Sequence, residues 1–222
     1  MSQPNPRHRP SSGLAGPAML ITLVVAGCSG EAGSPNTADG AGWRGVVLED
    51  PIPKVDFTLS DTDGEPFDFV AETEGLLTLL FFGYTSCPDI CPIHVANIAA
   101  VVHDFPHEVR SQIRVVFVST DPGRDTPERI RDWLDSFDRS FVGLRGTVEE
   151  VNEIERSFGL APSFVDEGQD PENYPVGHAA QVIAFTTDNL AHIVYPFGIR
   201  QSDWASDLPR LARNGFGMQA AR

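Results

Sequence analysis

Two cysteines, Cys87 and Cys91, stand four positions apart in Ser86-Cys87-Pro88-Asp89-Ile90-Cys91-Pro92. At the mouth of a helix, that spacing sets both sulfurs near one another on one side of the first turn, close to unpaired backbone N–H groups and the positive end of the helix dipole. Thiolate is favoured there, so the thiol pKa falls below its free value of ~8.5. A thiolate pair offers two chemistries: it ligates a soft metal ion such as Cu(I), and it exchanges disulfides. The same pair also fits a structural disulfide of an exported protein or two small buried apolar side chains, and the spacing alone leaves all of these open. Residues four apart in a first helical turn lie ~6 Å apart at Cα, so the pair is expected to close a disulfide without rearrangement.

The elements around the pair decide where it sits. Leu76-Leu77-Thr78-Leu79-Leu80-Phe81-Phe82 is apolar on both faces, as a central strand covered by helices must be. After the cysteines, Ile93, Val95, Ile98, Ala99 and Val102 recur at helical spacing up to Asp104. The pair therefore lies where a strand hands over to a helix. Upstream, Val46-Val47-Leu48 and Val55 to Leu59 read as short strands, and Asp63-Gly64 turns the chain back toward Phe67-Asp68-Phe69 as a hairpin. Downstream, Ile113 to Ser119 is a second buried strand, and a helix opens at Thr126-Pro127 with Thr as cap and Pro in the first turn. Phe141 to Leu144 is a short strand, and Thr147-Val148-Glu149-Glu150 is a capping box for a helix reaching Phe158. Residues 161 to 177 read as a long loop, two strands near Gln181–Thr186 and Ala191–Tyr195 form a closing hairpin, and Ser202 to Asn214 is a last helix. This order describes an α/β sandwich whose mixed central sheet is flanked by helices, with an N-terminal β-hairpin, and its antiparallel closing hairpin resembles that of thioredoxin-like folds.

The rest of the chain bounds the function. With 222 residues, 41% of them apolar, it is one domain with an appendage. Against 16 Lys and Arg stand 31 Asp and Glu, a net charge of −15, which would repel a phosphate backbone, so nucleic acid is not an expected partner. Residues 1–27 begin with Arg7, His8 and Arg9 and run into the apolar stretch Ala18 to Gly27, too short to cross a bilayer and shaped as a secretory leader. Val25-Ala26-Gly27-Cys28 resembles a bacterial lipobox, which implies cleavage before Cys28, lipidation of its sulfur, and a protein anchored by lipid on the extracytoplasmic face of the cell membrane. Residues 28–42 hold no large apolar side chain and read as a flexible tether; 43–222 form the folded domain.

Phe82-Gly83-Tyr84-Thr85-Ser86-Cys87-Pro88-Asp89-Ile90-Cys91-Pro92 resembles the signature of the SCO/SenC family, thioredoxin-fold copper proteins of membrane-facing compartments. The resemblance continues through Val118-Ser119-Thr120-Asp121-Pro122-Gly123-Arg124-Asp125-Thr126-Pro127 and a histidine, His178, that lies 87 positions past Cys91. It implies a copper site, Cu(I) or Cu(II), with Cys87, Cys91 and His178 as ligands: two thiolates suit Cu(I), and an imidazole completes a site for Cu(II). The implied function is a metallochaperone that takes copper from a donor protein and passes it to the copper-bearing subunit of cytochrome c oxidase or another extracytoplasmic cuproprotein. Oxidation of the pair to a disulfide would switch binding off. The alternative is a thiol–disulfide oxidoreductase, with Cys87 and Cys91 as its catalytic redox dithiol, that reduces the target's cysteines. A peroxiredoxin-like peroxidase is disfavoured, because no Thr-x-x-Cys arrangement precedes Cys87. The chain departs from the family in Ala179, where many members have Ser, and in Thr187-Asp188-Asn189, where many have an Asp-Pro-x-Gly turn.

The remaining candidates have plainer readings. His94 shares the helix face of Cys91 and is an alternative ligand, though a partly exposed surface histidine is the expected outcome. His103 and His107 read as solvated, His192 as packed or on the surface, and Asp89 as an acid favoured by the helix dipole. Asp121 and Asp125 either shape the site from a neighbouring loop or serve as caps and turn residues, and Arg124 is expected to be exposed.

Overall fold

A computed structural model describes residues 42–165 and 174–217. The expected leader 1–27, the expected lipidation at Cys28 and nearly all of the expected tether 28–42 fall on residues outside the described ones. Strands β1 (Val46–Pro53), β2 (Thr58–Asp61) and β3 (Pro66–Asp68) lead to the central strand β4 (Leu77–Gly83). Helices α1 (Ile90–His103) and α2 (His107–Arg110) connect it to β5 (Ile113–Ser119), and α3 (Pro127–Asp135) connects that strand to β6 (Val142–Arg145). After α4 (Val148–Ser157) come β7 (Phe164–Val165), β8 (Val176–Gly177), the hairpin β9 (Val182–Phe185) and β10 (Leu190–Tyr195), and finally α5 (Gln201–Asn214).

The main sheet has the order β1-β10-β9-β4-β5-β6-β2-β3. Strands β4, β5 and β6 run parallel, while β9 lies antiparallel to β4. Every residue of β4 is buried, as its two-sided apolar run requires. Its side chains alternate between two cores. Leu77, Leu79 and Phe81 meet α1, α3 and α5 through Val95, Ile98, Ile130, Leu134, Trp204 and Leu208. Leu80 and Phe82 face the other way, onto Val151, Ile154 and Phe158 of the α4 layer. This is the thioredoxin-like sandwich, and the β2–β3 hairpin closes its far edge on β6.

The helix starts follow their caps. The Thr126 hydroxyl accepts from Arg129 N with Pro127 beside it, and Thr147 and Glu150 form the complete capping box. One expectation needs correction. Residues 161–177 do not form a plain long loop, because its two ends pair as the antiparallel strands β7 and β8. That pairing places Val176-Gly177 immediately before His178. Among the described residues no helix is long and apolar enough to cross a membrane.

Candidate metal centre

The β4–α1 junction presents the cysteines, although not as a pair within one helical turn. Helix α1 begins at Ile90, so Cys91 lies in its first turn while Cys87 precedes it in the loop. The loop is tightened by Cys87 N donating to Tyr84 O at 3.1 Å. The N-cap residue Asp89 supplies no side-chain cap; instead Cys91 N donates to Cys87 Sγ at 3.4 Å, so the sulfur takes the place of a capping oxygen. Both cysteines are buried free thiols.

The two thiols differ sharply. Cys87 is held well below the usual thiol range, first by the hydrogen bond from the Cys91 side chain, with the backbone N–H groups of Asp89 and Cys91 and the His178 ring adding to it against the opposing effect of burial. Cys91 is pushed far up by burial, and by its hydrogen bond to Cys87. Thiolate, expected at the helix mouth, is favoured at Cys87 alone, while Cys91 is held as the thiol that donates to it. Gly83 makes room for the second sulfur: a Cβ there would stand 2.9 Å from Cys91 Sγ and 3.1 Å from the rings of Phe81 and Phe117.

The third candidate ligand arrives from a distant part of the chain. His178 follows β8 and brings Nε2 to 3.4 Å from Cys91 Sγ. Its Nδ1 lies 3.1 Å from Ala179 O, and since a carbonyl only accepts, Nδ1 donates there and Nε2 is the ring nitrogen turned to the sulfur. A metal-ligating histidine commonly has this arrangement, with the outer nitrogen donating to a carbonyl. Ring contacts with Tyr84 at 5.6 Å and Phe81 at 6.0 Å hold the imidazole edge-on. The potential ligand atoms of Cys87, Cys91 and His178 all lie within 4.8 Å of one another, and no other such group of His, Cys, Asp or Glu occurs among the described residues. Two sulfurs and one imidazole nitrogen form a soft donor set that suits copper in either oxidation state.

Two loops frame this cluster. Asp125, fully buried, accepts from Thr85 N at 3.0 Å, from the Thr85 hydroxyl at 2.5 Å and from the Ser119 hydroxyl at 2.7 Å, and so ties the cysteine loop to the end of β5. Arg129 extends the tie, donating from Nε to Thr85 Oγ1 and from Nη2 to Ser86 Oγ, each at 2.9 Å. Asp121 pairs with Arg124 and accepts from the Tyr174 hydroxyl at 2.9 Å. Arg124 also stacks on the Tyr174 ring at 3.7 Å, which anchors the chain four residues ahead of His178. Asp125 and Asp121 thus shape the site from the β5–α3 loop. Arg124 is not the exposed side chain expected from sequence, because its stacking and ion pair hold it in.

His94 also departs from expectation. It is buried rather than partly exposed, and its Nε2 lies 2.9 Å from Ala180 O, outside the three-ligand cluster. His103 and His107 are exposed, as is Asp89. His192 reaches Asp188 at 2.8 Å and stacks on Phe216. Sequence reasoning did not single out Tyr174 or Gly83; the aromatic residue four places before His178 was the available signal for the first, and the glycine ending an otherwise bulky strand for the second.

The SCO1/SenC family model matches residues 49–213, which is most of the chain. The chain belongs to the SCO1/SenC family. An SCO2-like protein of Rickettsia prowazekii is 34% identical over 124 residues, covering 56% of this chain and 60% of that protein. The match thus spans about three fifths of the length of such curated relatives. The solution structure of apo Sco1 from Thermus thermophilus has a TM-score of 0.67 at 31% identity, covering 76% of this chain and 96% of its own. A structure of Bradyrhizobium japonicum ScoI with copper bound has a TM-score of 0.63 at 28% identity, covering 71% and 98% respectively. This SCO1/SenC domain therefore carries its Cys-Cys-His cluster on the same fold as those relatives.

Proposed function

We propose that this SCO1/SenC protein is a copper carrier that holds the ion through Cys87, Cys91 and His178. The observation that carries the reading is the convergence of two sulfurs and an imidazole nitrogen within 4.8 Å, with Nδ1 of the ring bonded to Ala179 O and Nε2 turned to the sulfur. The copper-bound relative supports the choice of ion. Cu(I) is satisfied by the two thiolates, so Cys87 is the entry ligand, already deprotonated, and Cys91 yields its proton as copper binds. His178 adds the nitrogen donor that Cu(II) prefers.

In the cell, the carrier sits on the extracytoplasmic face of the membrane, anchored by lipid on Cys28. It receives copper from a donor protein and delivers it to the copper-bearing subunit of cytochrome c oxidase or another extracytoplasmic cuproprotein. Transfer proceeds by exchange of thiolate ligands, one sulfur at a time, so the ion is never released. A second reading has a specific observation in its favour. The asymmetry of a low-pKa Cys87 beside a buried, protonated Cys91 is that of an attacking and a resolving thiol, which supports thiol–disulfide exchange with the target's cysteines.

One experiment separates the two. Reduced wild type and His178→Ala are titrated anaerobically with Cu(I), then with Cu(II), and assayed for disulfide reductase activity and for restored oxidase assembly in a deletion strain. The carrier reading expects the variant to keep Cu(I) binding and lose the thiolate-to-Cu(II) charge-transfer absorption together with complementation. Retention of both would leave the oxidoreductase reading ahead. Mass spectrometry of the mature N-terminus tests the anchor, for which a diacylated Cys28 is expected.

A further inference from the structure

The backbone that carries His178 is not set by the sheets. Residues 178–181 join β8 to β9, and neither ladder includes them. Two imidazoles meet the carbonyls of this short link instead. His178 donates to Ala179 O, and His94 reaches the next carbonyl, Ala180 O, at 2.9 Å. Because that carbonyl is an acceptor only, His94 Nε2 must carry the proton.

His94 is an expensive residue for its position. It lies on α1, three residues after Cys91, and is only 2% exposed, with its ring 5.3 Å from Phe81 and 5.5 Å from Phe197. An apolar side chain would fill the same space without desolvating a polar ring. Burial, the largest influence on it, favours the neutral imidazole. The one side-chain hydrogen bond described for it reaches the backbone two residues beyond His178, and the Phe81 ring neighbours both histidine rings, at 5.3 Å from His94 and 6.0 Å from His178.

We propose that His94 is a positioning residue for the metal centre: its Nε2–H bond to Ala180 O ties the helix that carries Cys91 to the link that carries His178, and so sets the separation of thiolate and imidazole. The inference rests on the copper reading and deepens it. Cu(I), satisfied by two thiolates, tolerates a loosened His178, whereas Cu(II) does not. Loss of an outer partner that orients a metal-binding histidine typically weakens binding roughly 10- to 100-fold. His94 acts one step further out, through the backbone, so the lower end of that range is expected for Cu(II), with Cu(I) affinity unchanged.

The test uses the full chain with His94→Leu, which removes the donor and keeps the bulk, and His94→Gln, whose amide nitrogen reaches the position of Nε2. Cu(II) affinity and the charge-transfer band are measured with Cu(I) affinity, and circular dichroism melts monitor the fold. The expected result is a weakened, shifted Cu(II) signature in His94→Leu, recovery in His94→Gln, and equal Cu(I) binding in all three. A folded His94→Leu with wild-type Cu(II) behaviour overturns the proposal, as does a folded His94→Gln that fails to recover. Should His94→Leu not fold, the metal-free wild type decides by imidazole NMR. A slowly exchanging Nε2–H on His94 supports the tie, and protonation at Nδ1 alone overturns it. A wild type that never develops the Cu(II) band would overturn the copper reading, while the NMR result would still stand for the tie itself.

Discussion

Asp125 and Asp207 are both wholly buried, and burial pushes both above the ordinary carboxylate range, yet they are satisfied differently and hold different things. Asp125 uses both oxygens, accepting from Thr85 N, Thr85 Oγ1 and Ser119 Oγ. Asp207 takes Arg44 N, Gly45 N and the Tyr195 hydroxyl on Oδ2 alone, while its Oδ1 has no hydrogen bond and faces Arg210 at 3.8 Å. The first pins the loop that presents Cys87; the second pins the start of the domain onto α5. Burial and a raised pKa would nominate either as a functional residue. What each carboxylate restrains decides which one serves the site.

The largest effect expected from this contrast is in a pair of truncations. Asp125→Ala leaves three buried donors unpaired, at about 1 to 3 kcal/mol each when unrelieved, and should cost about 3 to 5 kcal/mol in all. Asp207→Ala should cost a similar amount. Urea unfolding measures both, and a Cu(I) competition titration under conditions where each variant is folded separates them. Copper affinity should fall for Asp125→Ala and hold for Asp207→Ala; an equal loss in both would erase the distinction.

A smaller change probes the seat of Cys91 directly. Gly83→Ala places a methyl 2.9 Å from Cys91 Sγ and 3.1 Å from the rings of Phe81 and Phe117. Overpacking of this kind costs about 1 to 3 kcal/mol. We expect the melting temperature and the copper affinity to drop together, whereas a change in stability alone would mean that the sulfur relocates without harm to the site.

Tyr174→Phe removes only the hydroxyl bonded to Asp121 and leaves the ring under Arg124. The expected loss is about 1 kcal/mol. Its signature should be faster amide exchange around Val176 to His178 and no change near Asp207. Protection unchanged in that segment would show that the stack, rather than the hydrogen bond, anchors the loop.

The smallest effect is a slope. Folded Asp207 keeps its proton to higher pH than the unfolded chain does, so its contribution is complete below the ordinary value of ~3.9 and is lost as pH rises through the raised folded value. Asp207→Asn removes that titration. The difference in unfolding free energy, wild type minus variant, should therefore shrink between pH 4 and neutrality, and a flat or rising difference would contradict the raised pKa.

Much of the scaffold was legible locally. A strand buried on both faces must be apolar at consecutive positions, which marked β4 and β5, and the caps at Thr126 and Thr147 depend on side chains within one turn of the helix start. The Asp63-Gly64 turn placed the β2–β3 hairpin for the same short-range reason. His94 was not legible, because helical spacing defines a face without saying what covers it, and α1 buries residues from Cys91 and His94 through Val101 and Val102. Arg124 looked solvated because the Tyr174 ring that stacks on it lies 50 positions away. The four-residue spacing of Cys87 and Cys91 fits one helical turn, yet the helix begins only at Ile90, because spacing alone does not fix where a helix starts.

The sequence by itself determined a sulfur pair at a strand-to-helix junction, the α/β order of elements and, through resemblance to a family, the nomination of His178. Those depend on local spacing and on motif. Only the tertiary structure decided that residue 178 comes within 3.4 Å of residue 91, that one thiol is activated at the expense of the other, and that an imidazole donates to the backbone beside the third ligand. These depend on which distant groups burial brings together, and burial is a property of the packed whole that neither spacing nor composition encodes.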